Sequence, residues 1–371
     1  MTVAVPAVHL VHDPDAAADA RLEPLLARDP VAQIYAHPRY HRALETMVGG
    51  RRVVALAGPA SAPVGALTWL ERETDAGRIL NALPWFGSHG GPCIAADRPP
   101  AERIAVAAAL AAAFRAAVDR DGVLSGTMIL GFADDGPRRA AIEAALAPEA
   151  VDERIAQVTP LPPAVGEADE IGETLLRETF GQKTRNLVRK GRRQSFDVSV
   201  RDDDAAWAAL HALHAAGMEA IGAPVKPAAH LAALRTLPEQ DRGLWIAGEG
   251  REIRAAMLLL RWGGTVEYVV PAVDPDHRSR QPISVLVHAA MIDAVQRGDH
   301  RWSWGGTPAG QDRLHHFKAG FGARDVPYAY LCRSGPGGRA RLAAVGRAGL
   351  PRLAPWYYAW PFDQLDAEAD R

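Results

Sequence analysis

The chain has 371 residues, 48% of them hydrophobic and 23% charged, which is the composition of an ordinary globular protein long enough for two cores. Its 42 Lys and Arg against 44 Asp and Glu give a formal charge of −2, so a polyanion site must be a local patch and no DNA partner is expected. No apolar run is long enough to span a bilayer, the N-terminus lacks the basic start of a signal peptide, and Cys93 and Cys332 offer no metal spacing. These features predict a cytoplasmic protein with reduced thiols.

In chain order, Ala16 to Ala27 reads as the only element of the first thirty residues, a helix. The apolar runs Arg52–Gly58 and Val64–Leu70 read as a hairpin turning through Pro59 to Pro63. A loop from Asn81 to Pro92 follows, then an Ala-rich helix over Ala101–Val118 and a strand over Gly126–Phe132. Thr159-Pro160-Leu161-Pro162-Pro163-Ala164 reads as a linker, because three prolines interrupt regular structure. Helices are predicted over Ile171–Lys190, Asp203–Ile221, Pro227–Leu237, from Ser284 to Gly298, and over Arg339–Leu350. Trp302 and Trp304 alternate with Arg301 and Ser303 as in a strand that ends at Gly305 and Gly306, and Gln311–Tyr328 reads as a basic, aromatic, hairpin-like segment.

The first half recurs in the second. Leu56-Ala57-Gly58 matches Ile246-Ala247-Gly248, and Gly65–Leu70 matches Ala255–Leu260 at the same displacement, with a helix and a glycine-ended strand following in each. The expected fold class is α/β with tandem domains, each a mixed sheet flanked by helices. The expected bounds are residues 1–160, 161–335 and a basic, aromatic tail over 336–371.

The segment Arg278–Tyr328 carries an Ala294-to-Gly298 helix end, Trp304-Gly305-Gly306, and Phe317-Lys318-Ala319-Gly320-Phe321-Gly322. In this order the three motifs resemble the second half of the Fem-type peptidyltransferases, within the GNAT acyltransferase superfamily. Ser303 stands where an acidic residue often precedes the aromatic in that family, so no role is carried over for that carboxylate. Leu83-Pro84-Trp85-Phe86-Gly87-Ser88-His89-Gly90-Gly91-Pro92 resembles a loop of the first Fem domain, and Trp85 becomes a substrate-binding residue by that resemblance. Arg185 and Arg189 share a helix face with Arg192 in a run of basic residues, and they match an arginine signature that contacts the diphosphate of a nucleotide-linked acceptor. A solvated basic helix is the plain alternative, and tRNA backbone contact by Arg192 and Arg193 a further one.

Lys318, held between Phe317 and Phe321, is the expected catalytic group. Its ammonium would bind phosphate or stabilise an oxyanion, together with the amides near Gly305 and Gly306. The resemblance adds Trp304, Phe317, Glu219 and Tyr268 as substrate-binding residues, and Glu219, Glu267 and His89 are candidate bases.

GNAT enzymes that use acetyl-CoA cradle its pyrophosphate on a glycine-rich loop. Here the aligned stretch is Arg278-Ser279-Arg280-Gln281-Pro282-Ile283, with no glycine between Gly264 and Gly298. Acetyl-CoA is therefore not expected, and neither a metal nor a redox cofactor is implied. The resemblance implies an N-acyltransferase that moves an aminoacyl group from aminoacyl-tRNA to an amine on a cell-wall precursor, or on a peptide-like or amino-sugar metabolite. Two alternatives stay open: an enzyme using acyl-CoA or acyl-carrier protein to acylate surface sugars, and a non-catalytic nucleotide-sugar- or RNA-binding protein. The tail Pro355–Phe362 beside Arg347 and Arg352 has the makings of a peripheral membrane contact, although its prolines and acidic end favour packing on the protein.

Overall fold

The computed structural model describes residues 6–82, 85–132, 134, 136–308 and 310–369. Two compact units divide the chain, one of residues 1–154 and 327–371 and the other of residues 155–326. The first contains β1 (Val8–His12), α1 (Ala16–Ala20), α2 (Glu23–Leu26), α3 (Pro38–Val48), β2 (Arg51–Ala57), β3 (Gly65–Arg72), β4 (Arg78–Ala82), β5 (Cys93–Ile94), α4 (Pro100–Val118), β6 (Val123–Ile129) and α5 (Gly136–Leu146). Strand β7 (Ala150–Pro160) carries the chain out of it. The second unit continues with α6 (Ala168–Thr174), α7 (Gln182–Arg192), β8 (Asp197–Val200), α8 (Asp204–Glu219), α9 (Ala228–Arg235), β9 (Arg242–Glu249), β10 (Glu252–Trp262), β11 (Thr265–Val273), α10 (Pro282–Gln296), β12 (Arg301–Thr307) and α11 (Asp312–Gly320). Strand β13 (Arg324–Ser334) returns the chain to the first unit, which ends with α12 (Gly338–Leu353) and α13 (Phe362–Ala369).

The sequence boundary at 160/161 thus moves to 154/155, and the tail begins with a strand of the first unit rather than after residue 335. The prolines mislead because Pro160 is the last residue of β7, still opposite Arg301, where a missing N–H costs little. Other differences have similar local causes. Ile171–Lys190 is broken by a π-turn at Leu175–Thr179 and by Gly181, and Gln311–Tyr328 is a helix followed by a strand. Leu314, Phe317, Phe321 and the turn at Gly322 (φ 80°) supply helical spacing and a stop. Strands β1, β4, β5, β7, β8 and β11 and helices α5 and α13 went unread, and Asn81 of the predicted loop belongs to β4.

Both units repeat one topology. In the first, β2, β3 and β4 are antiparallel neighbours and α4 returns the chain to β6, parallel to β4. In the second, β9, β10 and β11 are antiparallel and α10 returns it to β12, parallel to β11. The pairs Ala57–Gly65 and Ala247–Ala255 stand at matching register positions. Gly65 has a packing reason: a Cβ there would lie 2.4 Å from Val106 Cγ1 on α4.

Each unit has its own apolar core. In the first, Trp69 meets Phe114 edge-on at 5.4 Å beside Leu67, Leu110 and Leu331, and in the second Trp302, Trp304 and Phe321 pack with Met257, Leu286 and Met291. A second first-unit core joins Ile79, Leu124 and Cys332 to Leu342, Ala359 and Trp360, so the aromatic tail spends its rings on the protein. Cys93 and Cys332 are buried and unbonded.

A parallel strand pair that separates leaves a fork, and its backbone groups need partners. In the first unit the last paired residues are Asn81 and Thr127, and the tail fills the fork. Tyr358 N–H donates to Asn81 Oδ1 at 2.8 Å, while Asn81 Nδ2 and Thr127 Oγ1 donate to the Tyr358 carbonyl at 2.6 and 3.2 Å. Tyr358 OH donates to Asp152, Tyr357 OH to the Gly49 carbonyl, and the Arg154 guanidinium lies 4.2 Å from the Tyr330 ring centroid. Removing the amide in Asn81→Ala leaves the part-buried Tyr358 N–H without its acceptor and its carbonyl with Thr127 Oγ1 alone, and is expected to lower stability by about 1–3 kcal/mol in urea unfolding. An unchanged midpoint would show that the tail is not anchored at this fork.

Candidate functional site

In the second unit β11 and β12 pair only at Thr265–Arg301, Val266–Trp302 and Glu267–Ser303, and then part. Two bulges shape the fork. On β11, Val270 stands opposite Leu258 and Tyr268 opposite Leu259, so Val269 is an extra residue. On β12, Ser303 faces Val158 and Gly306 faces Ala156, leaving Trp304 and Gly305 opposite Gln157 alone. Gly305 has φ 70°, the conformation for which a bulge selects glycine.

Lys318 closes the second bulge. Its ammonium donates to Thr307 Oγ1 at 2.8 Å, to the Gly306 carbonyl at 3.0 Å and to the Gly305 carbonyl at 3.4 Å. Thr307 Oγ1 donates to Gln157 Oε1 at 2.9 Å, and Gln157 Nε2 to the His315 carbonyl at 3.2 Å, tying α11, β12 and β7 together. The sequence reading aimed this ammonium at a substrate. It is instead buried, with 3% of the residue exposed, and holds the strand end. Burial lowers its pKa to about 8, and three oxygen acceptors favour the charged form, so it is an ammonium at neutral pH.

Beside this framework lies a cavity of about 520 Å³. Its walls are Leu213, His214, Gly217 and Met218 of α8, Tyr268, Pro271, Ala272 and Val273 of β11, the start of α10, and Arg313, Leu314 and Phe317 of α11. Residues 213, 214, 217 and 218 recur at the spacing of one helix face. Phe317 follows Arg313 and Leu314 by about one turn, which brings the three to one side of α11. His214 is buried, its Nε2 accepts from Lys226 N–H at 3.3 Å, and burial lowers its pKa to about 4, so it is neutral. Burial likewise raises the Tyr268 phenol.

The loop into α10 keeps a tight left-handed turn, but on a glutamine. Gln281 has φ 68° and ψ 37°, its Nε2 donates to the Arg278 carbonyl at 3.3 Å, and its Oε1 accepts from Ser284 Oγ at 3.1 Å. Pro282 follows as the first helical residue and has no N–H to offer.

Of the residues singled out from sequence, Tyr268 and Phe317 line the cavity, and Lys318, Gly305 and Gly306 form the buttress beside it. Trp304 is buried behind the wall, with its Nε1 donating to Thr159 Oγ1 at 2.9 Å and its ring 4.9 Å from Tyr268. Glu219 is exposed at the end of α8, turned away by the helical step from Met218. Arg185 is half-buried on α7 and donates to the Arg177 carbonyl at 3.3 Å, while Arg189 is exposed. Trp85 belongs to the first unit, edge-on to Tyr357 at 5.1 Å; Leu83 and Pro84 of its loop lie outside the described residues. Glu267 is buried at the fork, and His89 is buried in the first unit with its Nδ1 2.9 Å from Ser88 Oγ. Leu213 and Gly217 escaped the sequence reading because Asp204–Glu219 shows only an ordinary helix when its partners are unknown, and Arg313 and Leu314 because their segment reads as hairpin-like rather than as α11. Among the described residues no group of three His, Cys, Asp or Glu could hold a metal ion.

The repeated β-β-β-α-β unit with a forked parallel pair defines a tandem GNAT-type fold. Residues 177–319 match the family model described as an acetyltransferase (GNAT) domain. Among solved structures the chain is similar to FemX, with a TM-score of 0.65 and 14% identity over 87% of this chain and 97% of that one. It is similar also to the C-terminal domain of a putative lysylphosphatidylglycerol synthetase from Agrobacterium fabrum (TM-score 0.55, 12% identity, 93% and 99% covered). A tandem GNAT protein from the clavulanic acid biosynthesis pathway is a further neighbour (TM-score 0.53, 12% identity, 88% and 98% covered). No curated protein matches the chain. The chain thus carries a GNAT acyltransferase domain within a Fem-like fold.

The buttress is testable through its protonation. Lys318 has a folded pKa of about 8, below the roughly 10.4 of a free lysine, so the unfolded chain holds the extra proton between those values. Relative to Lys318→Met, the wild type should gain stability as pH rises from about 8 towards 10.4 and show a constant difference below 8. Urea unfolding across that range checks the sign; a difference independent of pH would mean the lysine is not buried as an ammonium.

Proposed function

We propose that the protein is a Fem-type N-acyltransferase, taking an aminoacyl group from the ester of an aminoacyl-tRNA and forming an amide with an amine on a cell-wall precursor or a peptide-like or amino-sugar metabolite. The observation that carries this reading is the loop at the cavity. Gln281 folds its side chain across the turn and Pro282 removes an N–H, so the loop lacks the open amide cradle that a CoA pyrophosphate needs, while the apolar cavity remains for an acyl group. Conversion of an ester to an amide is downhill. What the protein must supply is the placement of the amine against the carbonyl, removal of its proton, and support for the oxyanion.

The parts divide accordingly. Lys318 keeps the Gly305–Gly306 strand end in place through its carbonyls rather than touching the reacting oxygen. The bulge at Val269 leaves a peptide group out of the ladder at the fork, where an acyl carbonyl or acceptor amide can pair with it. The basic helix α7, with exposed Lys183, Arg189, Lys190, Arg192 and Arg193, offers the phosphate-binding surface.

Purified full-length protein given a charged tRNA pool with labelled amino acids and candidate amines should form a base-stable product that is lost when the tRNA is first digested with ribonuclease. Product formation from acyl-CoA without tRNA would overturn the reading. Acetyl-CoA should give no heat of binding at micromolar protein, whereas micromolar affinity would show that the loop does cradle a pyrophosphate. Arg189→Ala should raise KM for the phosphate-bearing substrate by about 10-fold with kcat unchanged, since an exposed cation adds binding but no transition-state contact.

A further inference from the structure

The cavity of the second unit has a chemistry narrower than acyl transfer requires. Its body is carbon: Leu213, Met218, Pro271, Ala272, Val273, Ile283 and Phe317. Two further lining residues, Ile221 and Leu314, are apolar yet 70% and 36% exposed, so the hydrophobic surface continues out to the mouth. The mouth also carries two exposed guanidinium groups, Arg278 and Arg313, and no carboxylate lines the cavity among the described residues. His214 adds no charge, being neutral, and its Nε2 is already taken by Lys226 N–H. About 520 Å³ is many times the volume of an acetyl or alanyl methyl, and falls in the range of small-molecule sites. A cationic side chain entering here would face two arginines without a counter-ion, a repulsive device against lysyl groups.

From this we infer that the cavity selects a bulky apolar aminoacyl group, of leucyl or phenylalanyl type, whose phosphate-bearing carrier is met at the mouth by Arg278 and Arg313. The inference rests on the acyl-transfer reading and names the class of acyl group that the site accepts. Gly217 of α8 makes it testable without disturbing the fold. A Cβ at this position meets nothing within 4 Å, φ lies outside the left-handed region, and a helix favours leucine over glycine. The side chain of Gly217→Leu therefore projects from a cavity wall and takes up the space meant for the ligand.

The test is binding calorimetry on the full chain with stable 3′-aminoacylamino-3′-deoxyadenosine 5′-phosphates carrying leucyl, phenylalanyl, alanyl or lysyl groups, and with decyl phosphate. Leucyl and phenylalanyl conjugates should bind at least about 10-fold more tightly than alanyl and lysyl ones, the discrimination that a few methylenes in an apolar pocket provide. Gly217→Leu should abolish that preference, keep alanyl binding, and leave the melting temperature unchanged or higher. Replacing Arg278 and Arg313 together by Ala should weaken every phosphate probe without changing the leucyl-to-alanyl ratio. Equal binding of all four conjugates, or a preference that survives Gly217→Leu, overturns the inference while leaving the aminoacyl donor standing. Binding of decyl phosphate that Gly217→Leu removes, with no binding of any conjugate, keeps the apolar, anion-tipped cavity but overturns the aminoacyl assignment, and with it the tRNA donor. If no probe binds, the inference is overturned.

Discussion

A short parallel ladder that must part is the constraint on which the structure depends. Three residue pairs join β11 to β12, and beyond Glu267 and Ser303 the strands separate. Peptide groups at such a fork lose their ladder partners, and buried ones must find substitutes. The protein meets this demand in two ways. In the first unit a backbone segment enters the fork and is gripped by Asn81 and Thr127, much as a peptide ligand would be. In the second unit a single ammonium, that of Lys318, gathers the carbonyls of Gly305 and Gly306, leaving room alongside for a cavity.

These two solutions give the repeated units different capacities. The tail brings Tyr357, Tyr358 and Trp360 into the first unit and spends on its own chain the hydrogen bonds that its fork can make. The second unit keeps its fork lined by Tyr268 and Phe317, with the start of α10 at one wall. Lys318 tolerates burial because each of its three N–H bonds has an oxygen within 3.4 Å, and one of these, Thr307 Oγ1, is itself fixed by Gln157. A lysine serves better than an arginine here, since a compact ammonium can turn its donors towards three converging acceptors.

Electrostatics and shape then set what the cavity can hold. Gln281 occupies a left-handed position usually given to glycine, and its side chain is used to brace the loop. The same side chain, spanning the turn from Arg278 to Ser284, stiffens the entrance to the apolar space. Among the described residues no carboxylate lines the cavity beside Arg278 and Arg313, the composition on which the proposed preference for an anion outside and carbon within rests.

Periodicity, proline and glycine made the duplicated α/β architecture legible, because a helix or strand that buries one face writes its period into the sequence. The match of Gly65–Leu70 to Ala255–Leu260 and the aromatic, glycine-ended strand at Trp304 were readable for that reason. The acyltransferase fold followed from the order of the motifs. What only the tertiary structure decided is which way side chains point and what they meet. Lys318 turns to carbonyls instead of substrate, Trp304 lies behind the wall, Glu219 rotates out to solvent, and the tail returns to residues 206 or more positions earlier. Gly217 and Leu213 gained significance only when the far end of β11 and α11 arrived opposite them. Fork, bulge and cavity arise between segments distant in sequence, and local patterning, which records only whether a residue is buried, carries no trace of what it is buried against.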